Sequence, residues 1–128
     1  MKDGYAAFSR GDIPNLLALL TEDLEWHHPE AGYSLPGTYQ GRRGVSHFFQ
    51  KVAQDIDILD FQVREFVAEG DRVLVVGWER ATVKATSRTC GAGWIHAFTV
   101  RSGKVAKFRE YTNTRALAAA YGRRPDFT

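Results

Sequence analysis

The chain has 128 residues, 44% of them hydrophobic, a formal net charge of +2 and one cysteine. That is enough for one domain around one core. The basic residues are scattered, with Arg42-Arg43 and Arg123-Arg124 as the only doublets, unlike the one-sided charge of a nucleic-acid binder. A lone Cys90 excludes an internal disulfide and a Cys-rich metal site, and without a secretory h-region or a membrane-length apolar run a cytoplasmic protein with no membrane partner is expected.

In chain order, Tyr5 to Phe8 predicts a short helix ending at Gly11. Asp12 then suits an N-cap, with Pro14 tolerated in the first turn. Ile13, Leu16, Leu17 and Leu20 follow at the spacing of one buried helical face. A strand is expected from Leu24 to His28, ended by Pro29. Pro29 to Gly41 is a Gly- and Pro-rich loop carrying Tyr33, Leu35 and Tyr39, of a length that either borders a binding site or simply connects. Val45, Phe48, Phe49, Val52 and Ala53 mark a second amphipathic helix.

The rest reads mainly as strand. Leu59, Phe61 and Val63 alternate with polar residues, Glu69-Gly70-Asp71 turns the chain, and Val73 to Lys84 is a long β-rich run. Gly91 and Gly93 are expected in a connection before a last hairpin, Trp94 to Val100 and Lys104 to Thr112. A closing helix is expected through Ala116, Leu117, Ala120 and Tyr121, with Thr114 as its cap and Gly122 after it. One domain over residues 1–122 and a tail over 123–128 follow. Helices first and an antiparallel meander afterwards is an α+β pattern.

Alternation along strands then orients the polar residues. Leu24, Trp26 and His28 share one face, which is apolar except at its end, so His28 is expected inside and His27 outside. Adjacent strand residues point apart, His47 reads as the polar flank of its helix, and no metal-ligand spacing is present, so no metal is expected. Trp78 shares a face with Leu74, Val76 and Arg80 and is expected to face inward. In the last hairpin, a two-residue turn at Ser102-Gly103 would set His96 opposite Arg109. A three-residue loop, Arg101 to Gly103, instead gathers Trp94, His96, Phe98, Ala106, Phe108 and Glu110 on one mostly apolar face. Register follows the hydrophobic pattern, which favours the second arrangement and makes His96 and Glu110 diagonal neighbours. Such a pair serves either as an acid/base unit or as a polar pair that satisfies itself in the core.

Several segments together resemble the nuclear transport factor 2-like superfamily, most closely its SnoaL-like, ketosteroid-isomerase-like branch. They are Tyr5-Ala6-Ala7-Phe8 leading to Gly11-Asp12, Leu24-Glu25-Trp26-His27-His28-Pro29 and Gly37-Thr38-Tyr39-Gln40-Gly41. Val45, Phe48-Phe49, His96-Ala97-Phe98-Thr99-Val100, Gly103-Lys104-Val105 and Phe108-Arg109-Glu110-Tyr111-Thr112 continue the match. The resemblance implies a cone-shaped α+β barrel, with a strongly curved, mixed but mainly antiparallel sheet packed on three to four helices around an internal pocket. It also implies a homodimer through the outer sheet face. Ketosteroid isomerase uses an Asp base and an oxyanion hole of Tyr and protonated Asp. By motif, the two carboxylates fall on His28 and His96, and Tyr5 stands one residue too close to Gly11-Asp12 to match the tyrosine. Many SnoaL-like chains carry Asp where Asn113 stands.

The expected function is a cofactor-independent enzyme acting by general acid/base proton transfer, of isomerase, cyclase or lyase type, on a small hydrophobic or carbonyl-containing ligand. His28, His96 and Glu110 are the expected catalytic group. Trp26, Tyr39, Trp78, Trp94, Phe98, Phe108 and Asn113 are the expected substrate contacts. A non-catalytic binding or interaction domain is one alternative. Another is epoxide-hydrolase-like activation of a water held by a histidine, Glu110 and Asn113, although the Asp-Arg-Asp set of such enzymes is not evident here.

Overall fold

The computed structural model describes residues 2–28, 37–113 and 119. Helices α1 (Lys2–Ser9) and α2 (Ile13–Ala18) are followed by strands β1 (Leu20–His27) and β2 (Thr38–Gln40). Helix α3 (Gly41–Asp55) then leads into β3 (Ile56–Glu69), β4 (Arg72–Val83), β5 (Arg88–Arg101) and β6 (Lys104–Thr112). The expected closing helix, the tail over 123–128, and Tyr33 and Leu35 of the long loop lie outside the described residues.

The six strands form one curved, open sheet in the order β2-β1-β6-β5-β4-β3. The β1–β6 pair is parallel and the others antiparallel, so the sheet is mixed and mainly antiparallel, as expected. Register shifts at Ile58/Asp60, Val63/Glu65 and Thr99/Val100 bend it. The first of these sets Leu59 out of the alternation, leaving it 50% exposed while Phe61 and Val63 pack on the core.

Asp12 caps α2, its side chain accepting from the Asn15 backbone N–H at 3.3 Å. The helix is shorter than the periodicity predicts. Leu20 is buried as expected, but as the first residue of β1 opposite Val105, whose N–H donates to the Leu19 carbonyl at 2.9 Å. Pairing with β6 overrides the helical spacing there. The Arg42 guanidinium holds the Leu20 carbonyl through two hydrogen bonds of 3.0 and 2.7 Å, tying the start of α3 to the start of β1.

Gly91 and Gly93 lie within β5, not in a connection; the turn falls earlier, where Ser87 has φ 58°. The reason is an exchange of tryptophans and glycines between β4 and β5. On the core face Trp94 lies over its partner Gly77. On the outer face Trp78 pairs with Gly93 and covers Gly91, where a β-carbon would stand 2.9 Å from the Trp78 ring. Trp78 therefore faces outward, contrary to the sequence expectation, with the Arg64 guanidinium 6.0 Å from its ring centroid. The inner set of β4 is Val75, Gly77, Glu79 and Ala81.

The last hairpin matches neither predicted register. Ser102 and Gly103, at φ 52° and 77°, form a two-residue turn pairing Arg101 with Lys104. Ala106 is then bulged out, because Val100 pairs with Val105 and Thr99 with Lys107. The bulge restores the expected faces of Phe108 and Glu110 while shifting the pairing, so Phe98 meets Phe108 and His96 lies directly opposite Glu110; Val105, not Ala106 as expected, joins the inner face.

A β-carbon at Gly77 would run into the Gln62 carbonyl oxygen and the Trp94 ring. Gly77→Ala should therefore destabilise the fold by about 3 kcal/mol, the upper range for overpacking, read as a lowered urea midpoint with unchanged slope. A loss below about 0.5 kcal/mol would show that the two strands separate freely there.

Candidate functional site

The helices close over the concave face of the sheet without filling it, leaving a cavity of about 270 Å³. Its walls are largely apolar: Phe48, Phe49 and Val52 from α3, Phe61 from β3, Trp26 from β1, and Phe98 and Phe108 from the last hairpin. Trp26 and Phe108 stack at 3.8 Å, following their pairing across the parallel strands.

One polar cluster interrupts this lining. The parallel register that pairs His27 with Arg109 carries His28 to the side of Glu110. His28 Nε2 lies 2.6 Å from Glu110 Oε2, and His96 Nε2 lies 3.5 Å from Glu110 Oε1. The His28, His96 and Glu110 side chains are each only 10% exposed. Tyr5 Oη, from α1, lies 2.7 Å from His96 Nδ1 with its ring plane 4° from that of the imidazole. Nε2 of each histidine faces its own oxygen of Glu110, and Tyr5 Oη and His96 Nδ1 share the hydrogen bond on the far side of that ring. Trp94 stacks on the His96 ring, with centroids 4.0 Å apart.

The electrostatics follow from burial and from this chain of contacts. Burial pushes the Glu110 carboxyl up, but hydrogen bonds and charge from His28 and His96 outweigh it and hold the group down at about 2. Burial, and secondarily the Glu110 charge, raise Tyr5, which stays a phenol. Glu79 on β4 also lines the cavity; burial and then the Glu110 charge push it up to about 7, with His28 opposing. Among the described residues no three His, Cys, Asp or Glu side chains are arranged to hold a metal ion.

The structure thus brings His28, His96, Glu110, Trp26, Phe98 and Phe108 together around one cavity. Trp94 stacks on His96. Tyr39 is buried against Phe48 and does not line the cavity. Asn113 is exposed just beyond β6, and Trp78 lies on the opposite face, so neither meets the cavity. Sequence reasoning missed Tyr5 and Glu79. Tyr5 reaches His96 through the placement of α1, which motif spacing does not encode. Glu79 is hidden by the outward turn of its neighbour Trp78, since the two alternate.

The sign of the Glu110 effect is testable. Its folded value lies below that of an unfolded glutamate, so the stability it contributes is present above about pH 4.5 and is lost as pH falls toward about 2. Glu110→Gln should cost on the order of 2–3 kcal/mol at neutral pH. In urea titrations the gap from the parent protein should shrink progressively below about pH 4. A gap that stays constant with pH would show that the charge on Glu110 carries none of it.

The model of the SnoaL-like domain matches residues 1–108. Among solved structures, a nuclear transport factor 2-like protein from Burkholderia xenovorans is 44% identical, with a TM-score of 0.86 over 94% of this chain and 91% of that one. TerC, co-crystallised with polyporic acid, is 30% identical, with a TM-score of 0.83 over 93% and 92% of the two chains. A protein of ketosteroid isomerase-like fold from Catenulispora acidiphila, in complex with trimethylamine, is 16% identical and shares the fold alone, with a TM-score of 0.77 over 96% and 92%. No curated protein matches the chain. On the family match and the two closer structural likenesses, this chain belongs to the SnoaL-like family of the nuclear transport factor 2-like superfamily.

Proposed function

We propose that the cavity is a cofactor-independent acid/base site that moves a proton on a small, largely apolar, carbonyl-bearing molecule, in the manner of an isomerase, cyclase or lyase. The observation that carries this reading is the buried Glu110 bridging His28 and His96, with Tyr5 on the far nitrogen, in a largely apolar cavity. Glu110 stays ionised as the fixed charge of the unit, with His28 or His96 as its base. A carbon acid beside a carbonyl would lose its proton to that unit. The charge developing on oxygen would be met by a cavity donor such as Tyr5, and return of the proton at another atom completes the transfer. The aromatic walls exclude water and hold the ligand by its apolar body. The likeness to TerC, which was crystallised with polyporic acid, supports a ligand of this general kind. Water activation of the epoxide-hydrolase type is disfavoured, because Asn113 does not line the cavity.

The same reading includes a homodimer through the outer sheet face. Val67, Leu74, Ile95 and Tyr111 form an apolar patch there, 41–53% exposed. Among the described residues no helix is long and apolar enough to cross a membrane, and a cytoplasmic location fits the lone thiol.

Proton transfer can be followed without the natural substrate, as deuterium uptake at the methyl carbon of 2-acetonaphthone in heavy water by proton NMR. The protein should accelerate uptake, and His28→Ala and His96→Ala should each lower the acceleration at least about 100-fold. Unchanged rates in both variants would sink the assignment, and binding of the ketone with no exchange would leave a non-catalytic binding domain. For the dimer, sedimentation at micromolar concentration should show a dimer that Ile95→Glu converts to monomer; a monomeric parent protein would contradict it.

A further inference from the structure

We infer that Glu79 is a second, separate acid of the cavity, a neutral carboxyl that donates a hydrogen bond to the oxygen of a bound carbonyl compound. The inference rests on the preceding section for the cavity being the ligand site, not for the identity of the base. It begins with position. Glu79 belongs to the inner set of β4, between Gly77 and Ala81, and pairs with Ala92 on β5 and Phe61 on β3. Small neighbours on three sides let the carboxyl reach the cavity it lines. Among the described residues it has no hydrogen-bond partner, whereas both oxygens of Glu110 are engaged. A largely buried carboxyl with no hydrogen-bond partner among the described residues is a donor or acceptor that a ligand can satisfy.

The surrounding groups decide which form it takes. Glu110 from β6 disfavours a second negative charge, and His28 at the end of β1 partly offsets this. Cys90 from β5 stands close enough for the Glu79 charge to push its thiol further up, after burial. Tyr5 and Asp3 of α1 and His96 of β5 line the same cavity, while β3 and α3 present Phe61, Phe48, Phe49 and Val52. Burial and Glu110 together bring Glu79 to about 7 while Glu110 stays ionised. Two carboxyls with values driven this far apart take different roles: one is a fixed charge, and the other a proton carrier. Below about pH 7 Glu79 offers an O–H to a ligand oxygen. Above it, the anion repels that oxygen and attracts an ammonium group instead.

The test uses two probes of one shape, neutral 2-acetonaphthone and cationic 2-naphthylmethylamine, titrated into the full chain and followed by tryptophan fluorescence from about pH 5 to about pH 9. Ketone affinity should be constant below about pH 7 and fall toward tenfold per pH unit above it, while the amine moves the opposite way. In Glu79→Gln, whose amide keeps a donor and cannot ionise, the ketone should bind at every pH with the parent's low-pH affinity, and the amine should lose its gain. The inference is overturned if the ketone does not bind at low pH, if its affinity is flat in the parent protein, or if the same fall persists in Glu79→Gln. Should the variant not fold, carbon-13 NMR of the glutamate carboxyls in the parent protein reads the same proton. One carboxyl should titrate near 7 and shift upward with ketone bound, and none doing so overturns the inference. The outcomes separate the two readings: flat binding with exchange lost in His28→Ala removes only the Glu79 role. A titrating ketone with exchange unchanged in both histidine variants removes only the proton-transfer assignment.

Discussion

A carboxylate placed inside an aromatic cone must be neutralised or protonated, because burial charges several kcal/mol against an uncompensated ion. Glu110 is met by two imidazoles, one on each oxygen, and much of the architecture can be read as what that meeting requires. His28 comes alongside only because β1 runs parallel to β6 in the register that aligns Trp26 with Phe108. His96 comes opposite only because Ala106 bulges out of β6. Tyr5 completes the chain only because α1 docks with its hydroxyl toward the far nitrogen of His96. Three separate elements converge on one buried charge, which makes their relative placement a condition of its ionisation.

The second constraint is steric. Trp78 and Trp94, on adjacent strands, divide between the two faces of the sheet. Trp94 takes the concave face over Gly77, and Trp78 takes the convex face over Gly91 and Gly93. This exchange sets Glu79 inward with Gly77, gives His96 its stacking floor, and places Trp78 on the same convex face as Leu74 and Ile95. Cavity chemistry and outer-face hydrophobicity thus share one packing decision.

These relations explain what was and was not legible in the sequence. The α+β class, the cap at Asp12, the helix through Val45 and Phe48, and the inward direction of His28 all rest on local periodicity or alternation, which short-range sterics enforce. The convergence of His96 with Glu110 was legible as a matter of faces, because the apolar pattern specifies the face. The register was not, because a bulge at Ala106 preserves the face while adding a residue. Gly91 and Gly93 read as a connection because glycine weakens a strand in isolation. Their role appears only with the Trp78 ring across from them. Trp78 and Glu79 were exchanged for the same reason: in a strand with apolar residues on both faces, alternation alone does not choose the inner one.

The most direct measurement is a crystal structure of the protein with 2-acetonaphthone bound at mildly acidic pH. The naphthalene ring should lie between Trp26, Phe48 and Phe108, with the carbonyl oxygen within hydrogen-bonding distance of Tyr5 or Glu79 and the methyl carbon turned toward the His28–Glu110–His96 cluster. A ketone bound outside this cavity, or seated in it with its oxygen directed away from these acids, would contradict the acid/base assignment.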